Sequence, residues 1–338
     1  MAKNRNRAPT MVDVAELAGV SQTTVSFVIN GNPDIPDETK ERVMAAVAEL
    51  GYRPNLTAQS LRTRKSGIIG FVTDEIATTP YAVKIIEGAQ DAAWNHGKIL
   101  ILSNTKNDPK LESASLDMMM DRRVEGIIYA TMYHRPVNPP EILWKIPTVL
   151  LDCFVPGRSL PSVVPDEIDG GCRATSILLE KGHKRVGFLN NIDPIPATAG
   201  RLEGYVAALF SHGIPFNPAL VVTDSSDSDG GYRCAQTLMR LSDSPTALFC
   251  FNDRMAMGAY DALRKLGLSI PNDVAVMGFD NQEMISSHLY PPLCTMELPH
   301  YEMGKWALNY LLEHLDLEED IPPVQHKLEC PYIERSSI

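Results

Sequence analysis

The sequence predicts an all-α headpiece containing a helix-turn-helix, joined by a hinge helix to a two-lobed α/β core with parallel sheets. Three observations lead there. Three short amphipathic segments, punctuated by glycine and proline, fill the first 50 residues. A basic, apolar-poor stretch broken by Pro54 follows, GYRPNLTAQSLRTRKS. Beyond it, short apolar runs alternate with helical periodicity, in one set on each side of the Pro/Asp-rich stretch 156–170. Such runs read as parallel strands buried on both faces, and two sets of them as two doubly wound lobes.

The first helix follows Thr10, which has Asp13 three residues on, a capping arrangement. Val14, Leu17 and Ala18 form its apolar face, and Gly19 ends it where a left-handed residue is needed. Ser21 caps the second helix, whose inner face is Val25, Val28 and Ile29. The third starts after Pro36 with Asp37 and Glu38 at its positive end, runs through Val43, Val47 and Leu50, and stops at Gly51. Asn55 can cap a further one or two turns from Leu56 to Thr63. That segment lacks an apolar face, and so short a helix is marginal alone in water. In the core, strands are expected at GIIGFV, KILILSN, EGIIYA, PTVLLD, RVGFLN, ALVV, ALFCFND and DVAVMGFD, with helices between them. The expected divisions are a headpiece at 1–54, a linker at 55–65 and a core at 66–338. Within the core, one lobe takes about 66–164 plus 296–323 and the other about 165–295 plus 324–338.

Composition narrows the function. A hydrophobic fraction of 44% and a charged fraction of 22% suit a soluble globular protein, and no apolar run approaches bilayer length. The N-terminus has no apolar block after its basic residues, so no secretory signal is expected and the cytoplasm is the expected location. Six widely spaced cysteines without a CxxC pair fit free thiols in a reducing compartment. The net charge of −11 is uneven: residues 1–65 carry nine basic and seven acidic side chains, the remainder 22 and 35. Basic residues cluster at Lys3, Arg5 and Arg7 and again at Arg53, Arg62, Arg64 and Lys65. An acidic body with basic segments at one end points to local binding of a polyanion.

The second helix turns Gln22, Thr23, Ser26 and Phe27 outward, where a surface helix normally shows charges. Short polar groups at a recognition-helix N-terminus reach base edges in the major groove, whereas long charges mainly reach phosphates. In the core, Asp74, Asp152, Asn190, Asn252, Asp253 and Asp280 each follow an apolar run, and so stand at strand C-terminal ends, which line the ligand crevice of open α/β sheets. Each alone is more often a helix cap than a ligand contact. Arg201 in AGRLEGY adds a cation, and carboxylates, amides and one guanidinium suit the hydroxyls of a sugar. Tyr81 could stack on a sugar face or fill the lobe interface. No phosphate loop, nucleophile elbow, HExxH or paired metal ligands occur, so no enzyme activity, metal or cofactor is expected.

VDVAELAGVSQTTVSFVIN, the GYRPN after it and AQSLRTRKSGIIGFV resemble the N-terminal part of LacI/GalR-family transcriptional regulators. RLEGY, FND, GFDN and PPL sit where such proteins carry comparable words, so the likeness spans the chain. The resemblance implies a homodimer whose headpieces read near-palindromic double-stranded DNA, and a periplasmic-binding-protein-like core that takes a small effector. It makes Gln22 and Thr23 the leading base readers, with Ser21, Thr24 and Ser26 nearer the backbone. Phe27 departs from the Arg or His common at its place and could pack on a thymine methyl. Arg5 and Asn55 are placed with the DNA contacts, and Leu61, with Ala58 one turn before it, matches the minor-groove wedge. Arg201, Asp253 and Asp280 become the foremost effector contacts, with Asp74, Tyr81, Asp152 and Asn252 next. The expectation is a DNA-binding repressor controlled by a carbohydrate. The alternatives are a purine-type effector, or a sugar-binding receptor without DNA function.

Overall fold

The computed structural model describes residues 9–52, 65–78, 80, 82–157, 159–315 and 323–338. The chain divides into two compact units, residues 1–66 and 67–338. Arg5, Asn55, Ala58, Leu61, Tyr81 and nearly all of the expected hinge helix lie outside the described residues.

In the first unit, α1 (Met11–Ala18), α2 (Gln22–Ile29) and α3 (Asp37–Leu50) each bury one wholly enclosed valine, Val14, Val25 and Val43, in a common core. Thr10 and Asp13 form a reciprocal capping box, which satisfies backbone N–H groups that the first turn leaves without partners. Gly19 closes α1 at φ 65°, and its N–H reaches back to the Ala15 and Glu16 carbonyls. The chain then bends by 101° into α2, within the range of a helix-turn-helix. From α3 the Arg42 guanidinium donates to the Ala18 carbonyl at 2.6 Å, pinning the turn. Leu17 corrects the expected apolar face: it is 46% exposed, and Ala15 is buried in its stead. A small side chain there lets α1 and α3 approach closely.

The second unit has two lobes. In the first, β1 (Ile68–Thr73), β2 (Ile99–Asn104), β3 (Gly126–Pro136), β4 (Thr148–Phe154), β5 (Ser162–Pro165) and β11 (Gln325–Leu328) form a sheet ordered β11-β5-β4-β3-β1-β2, all neighbours parallel. Helices α4 (Val83–Asn95), α5 (Pro109–Asp121) and α11 (His300–His314) cover it. In the second, β6 (Val186–Asn191), β7 (Val221–Asp224), β8 (Ala247–Cys250), β9 (Ala275–Asp280), β10 (Cys294–Glu297) and β12 (Tyr332–Ile333) are ordered β12-β10-β9-β8-β6-β7, with only β12 antiparallel. Its helices are α6 (Glu167–Glu180), α7 (Pro196–Ser211), α8 (Ser228–Met239), α9 (Asp253–Lys265) and the short α10 (Glu283–Ser286). Phe188 stacks on Phe249 at 4.6 Å in the centre of this lobe.

The chain crosses between the lobes three times, after β5, β10 and β11. Two expectations are corrected here. Residues 325–328 belong to the first sheet, so the last crossing follows Leu328 rather than preceding residue 324. The stretch 156–170 is no mere boundary either, since it contains β5 and the start of α6. Four-residue strands are too short to show periodicity. All six cysteines are free thiols, and five of them are buried.

Candidate functional site

The first candidate surface is α2. Gln22, Thr23 and Phe27 are exposed on it, Phe27 by 45%, while Thr24 and Ser26 are half-buried. Ser21 accepts the Thr24 N–H at 3.1 Å, and the two hydroxyls lie 2.9 Å apart. Asn30 reaches back to the Ser26 carbonyl and hydroxyl at 2.5 and 3.2 Å. Ser21, Thr24 and Ser26 therefore shape the ends of the helix, whereas Gln22, Thr23 and Phe27 stand outward at its N-terminal half and middle.

The second is a cavity of about 220 Å³ at the strand ends, lined from both lobes. The first lobe supplies Met132, Tyr133, His134 and Asp152, and the second Glu167, Asn191, Asp193, Arg201, Ser226, Phe251, Asn252, Arg254, Asp280 and Gln282. Arg201, only 3% exposed, sits at its centre. Its Nε donates to Glu167 at 2.7 Å, while Nη1 donates to the Phe251 carbonyl and lies 3.4 Å from Asp280. The guanidinium also lies over the rings of Phe279 and Phe251, 3.7 and 4.4 Å from their centroids. Close helix packing makes this possible. A Cβ at Gly204 of α7 would collide with the Ile168 carbonyl of α6, and one at Gly171 would lie 2.6 Å from the Arg201 carbonyl. Glycines at the crossing bring Glu167 and Arg201 together.

Backbone conformation aims two of the carboxylates. Asp152 at φ 56° and Asp280 at φ 99° occupy the left-handed region, as does Asn281 at φ 51°. Such strain in non-glycine residues gathers at binding sites, where the surroundings hold it in place. Burial pushes the Asp280 carboxyl up to about 6, although Arg201 and the Gln282 amide, 3.0 Å away, pull it down. Burial also pushes Asp152 well above the usual carboxylate range, and neighbouring Glu167 adds to the effect. Arg201 keeps its charge: burial opposes it, but Glu167 and Asp280 outweigh that cost. Asp152 Oδ1, both His134 nitrogens and Arg254 Nε are buried without hydrogen-bond partners. Unpaired buried polar atoms are rare in folded proteins, and here four of them line one cavity.

The cavity thus gathers Asp152, Arg201, Asn252 and Asp280 from the expected residues. Three others, all at strand ends as expected, are not in its lining. Asp74 pairs with Arg135 at 2.9 Å in a separate cavity of about 110 Å³. Asn190 is buried and donates to the Thr198 carbonyl at 3.2 Å. Asp253 is a wholly buried clasp that accepts the Thr295 hydroxyl and the Gln282 N–H, each at 2.6 Å. Asn252 serves two ends: Oδ1 caps α9 through the Met255 N–H at 2.8 Å, and Nδ2 donates to the Ser226 carbonyl at 3.0 Å. Nothing in the pattern singled out Glu167, His134 or Arg254. Glu167 also follows an apolar strand run, SVVP, in the stretch taken for a boundary. His134 reaches the cavity because β3 runs past EGIIYA with a register shift between Ala130 and Arg135.

Residues 10–55 match the family described as bacterial regulatory proteins, lacI family, and residues 66–335 match the periplasmic binding proteins and sugar binding domain of the LacI family. The chain belongs to the LacI family. It is a DNA-binding transcriptional regulator of the repressor type, with a small-molecule effector domain behind its helix-turn-helix. The ribose operon repressor of Haemophilus influenzae is 34% identical over 90% of this chain and 92% of its own length. The regulator RegA of Clostridium saccharobutylicum is 35% identical over 98% of this chain and 99% of its own. Among solved structures, the Lac repressor dimer bound to operator and the anti-inducer ONPF shares 25% identity at a TM-score of 0.75, covering 98% of this chain and 99% of that one. A CelR–cellobiose complex shares 28% at 0.66, over 97% and 99%. Among the described residues no single helix is long and apolar enough to cross a membrane, and no cluster of side chains suits a metal ion.

Proposed function

We propose that this LacI-family protein acts in the cytoplasm as a homodimeric, non-enzymatic repressor of a near-palindromic operator, and that a carbohydrate in the interlobe cavity sets its operator affinity. The observation that carries the carbohydrate is the donor and acceptor set around Arg201: two guanidinium groups, three amides and several carboxylates, with aromatic rings beside them. That mixture matches a ring with hydroxyls on its edges and apolar faces. Relatives point the same way, since one is a ribose operon repressor and one was solved with cellobiose. Gln22 and Thr23 read base edges, Phe27 packs on a thymine methyl, and Leu61 enters the minor groove. A sugar that bonds Asp152 in one lobe and Arg201, Asn252 and Asp280 in the other favours one lobe arrangement, and can shift operator affinity only by that preference.

A purine-type effector is the second reading. A PurR of Haemophilus influenzae is 33% identical over 92% of this chain, and the aromatic Phe251 lines the cavity. Calorimetric titration of the full chain with pentoses, hexoses, disaccharides and purine bases decides between them. Saturable binding of a sugar alone supports the first reading, and of a base alone the second.

A further inference from the structure

We propose that Glu167 makes the cavity selective for uncharged, hydroxyl-rich effectors and against phosphorylated or carboxylated ones. This rests on the reading of the cavity as a sugar site and adds a rule about charge. The central cation is already matched. Of the five N–H groups of Arg201, Nε serves Glu167 and the Nη1 pair serves the Phe251 carbonyl and Asp280, so two carboxylates flank one guanidinium. Around the wall burial holds Asp152 in its neutral form, and Glu167, Asp193 and Asp280 still outnumber Arg201 and Arg254. Arg254 adds a weaker attraction to Asp280, whose carboxyl burial pushes up. An entering anion meets net negative charge in a partly desolvated space, where repulsion is screened least.

The helix ends tell the same story. Helix N-termini attract phosphates through their N–H groups and dipole. Here the chain caps those ends itself: Asp166 accepts the Asp169 N–H at the start of α6, and Asn252 accepts the Met255 N–H at the start of α9. Sequence offers no hint of this arrangement, because Glu167 and Arg201 are distant along the chain and meet only through the glycine-lined crossing of α6 and α7.

The test titrates inorganic phosphate, sulfate, and matched pairs of a sugar and its phosphate ester into the full-length protein and its Glu167→Gln variant by calorimetry. Wild type should show no saturable phosphate binding at tens of millimolar, and any sugar that binds should do so at least about tenfold more tightly than its ester. Glu167→Gln should narrow that gap and gain phosphate binding. Saturable phosphate binding to wild type, or an ester tighter than its parent sugar, overturns the proposal while leaving the carbohydrate reading intact. A folded Glu167→Gln protein that still refuses phosphate removes Glu167 as the determinant. Should that variant fail to fold, the wild-type titrations decide alone. Binding of a neutral purine base in place of any sugar retires the carbohydrate reading, and the phosphate titrations of wild type and variant then test the charge rule by themselves.

Discussion

Arg201 is the residue on which both the stability and the chemistry of the cavity depend. Removing it as Arg201→Ala leaves Glu167 and Asp280 buried beside each other without a cation. Breaking a buried ion pair from one side costs about 3–5 kcal/mol, so the thermal midpoint should drop markedly as effector binding disappears. An unchanged midpoint would show that the two carboxylates do not need it. Asp280 gives a pH signature. Its carboxyl holds a proton more tightly in the folded protein, with a value of about 6, than in the unfolded chain, where it lies near 3.8. Its contribution to stability is therefore complete below the unfolded value and is lost as pH rises through about 6. Thermal unfolding of the ligand-free protein across that window should show the decline, and Asp280→Asn should flatten it. Strand-end position made Asp152, Asn252 and Asp280 legible, and Arg201, on α7, was legible as the cation of AGRLEGY. The same pattern included Asp74, Asn190 and Asp253, because it locates a strand end and is silent on where the side chain turns. Glu167 was hidden by a strand too short to recognise.

Among elements, the headpiece was the most legible, since caps, turn glycine and apolar spacing agree on each of its helices. Leu17 is the exception: helical period admits both 17 and 15 on the inner face, and close packing selects the smaller side chain. Thr10→Ala should lose the capping box and destabilise the first unit by about 1 kcal/mol, seen as an earlier headpiece transition in denaturant. Gln22→Ala should relax operator preference at one or two base pairs with non-specific binding retained, measured against operator and random duplexes. Equal loss on both duplexes would move base reading away from α2. In the core the long periodic helices and the strands β1 to β4 and β6 to β9 were legible, the four-residue β7 and β8 through their apolar runs ALVV and ALFCF. The strands β5, β10, β11 and β12, of four residues or fewer, were not, and they are the ones that carry the lobe crossings. Gly204→Ala drives a Cβ into the Ile168 carbonyl, so it should destabilise the second lobe and separate Arg201 from Glu167.

For the whole molecule, three chain crossings join two sheets around one cavity, and the helix-turn-helix lies in a separate compact unit. Lobes linked in this way can adopt more than one arrangement, and a ligand bonded to both stabilises the arrangement that best fits it. The central claim is that a sugar bridging Asp152 with Arg201, Asn252 and Asp280 alters operator affinity. Fluorescence anisotropy of labelled operator DNA, with full-length wild type and Asp280→Asn and the sugar chosen by calorimetry, tests it most directly. The account predicts that saturating sugar changes the operator dissociation constant of wild type by about five- to 150-fold. It predicts that Asp280→Asn binds operator as tightly as sugar-free wild type and no longer responds. An equal response in the variant, or a bound sugar that leaves the wild-type operator affinity unchanged, would contradict it.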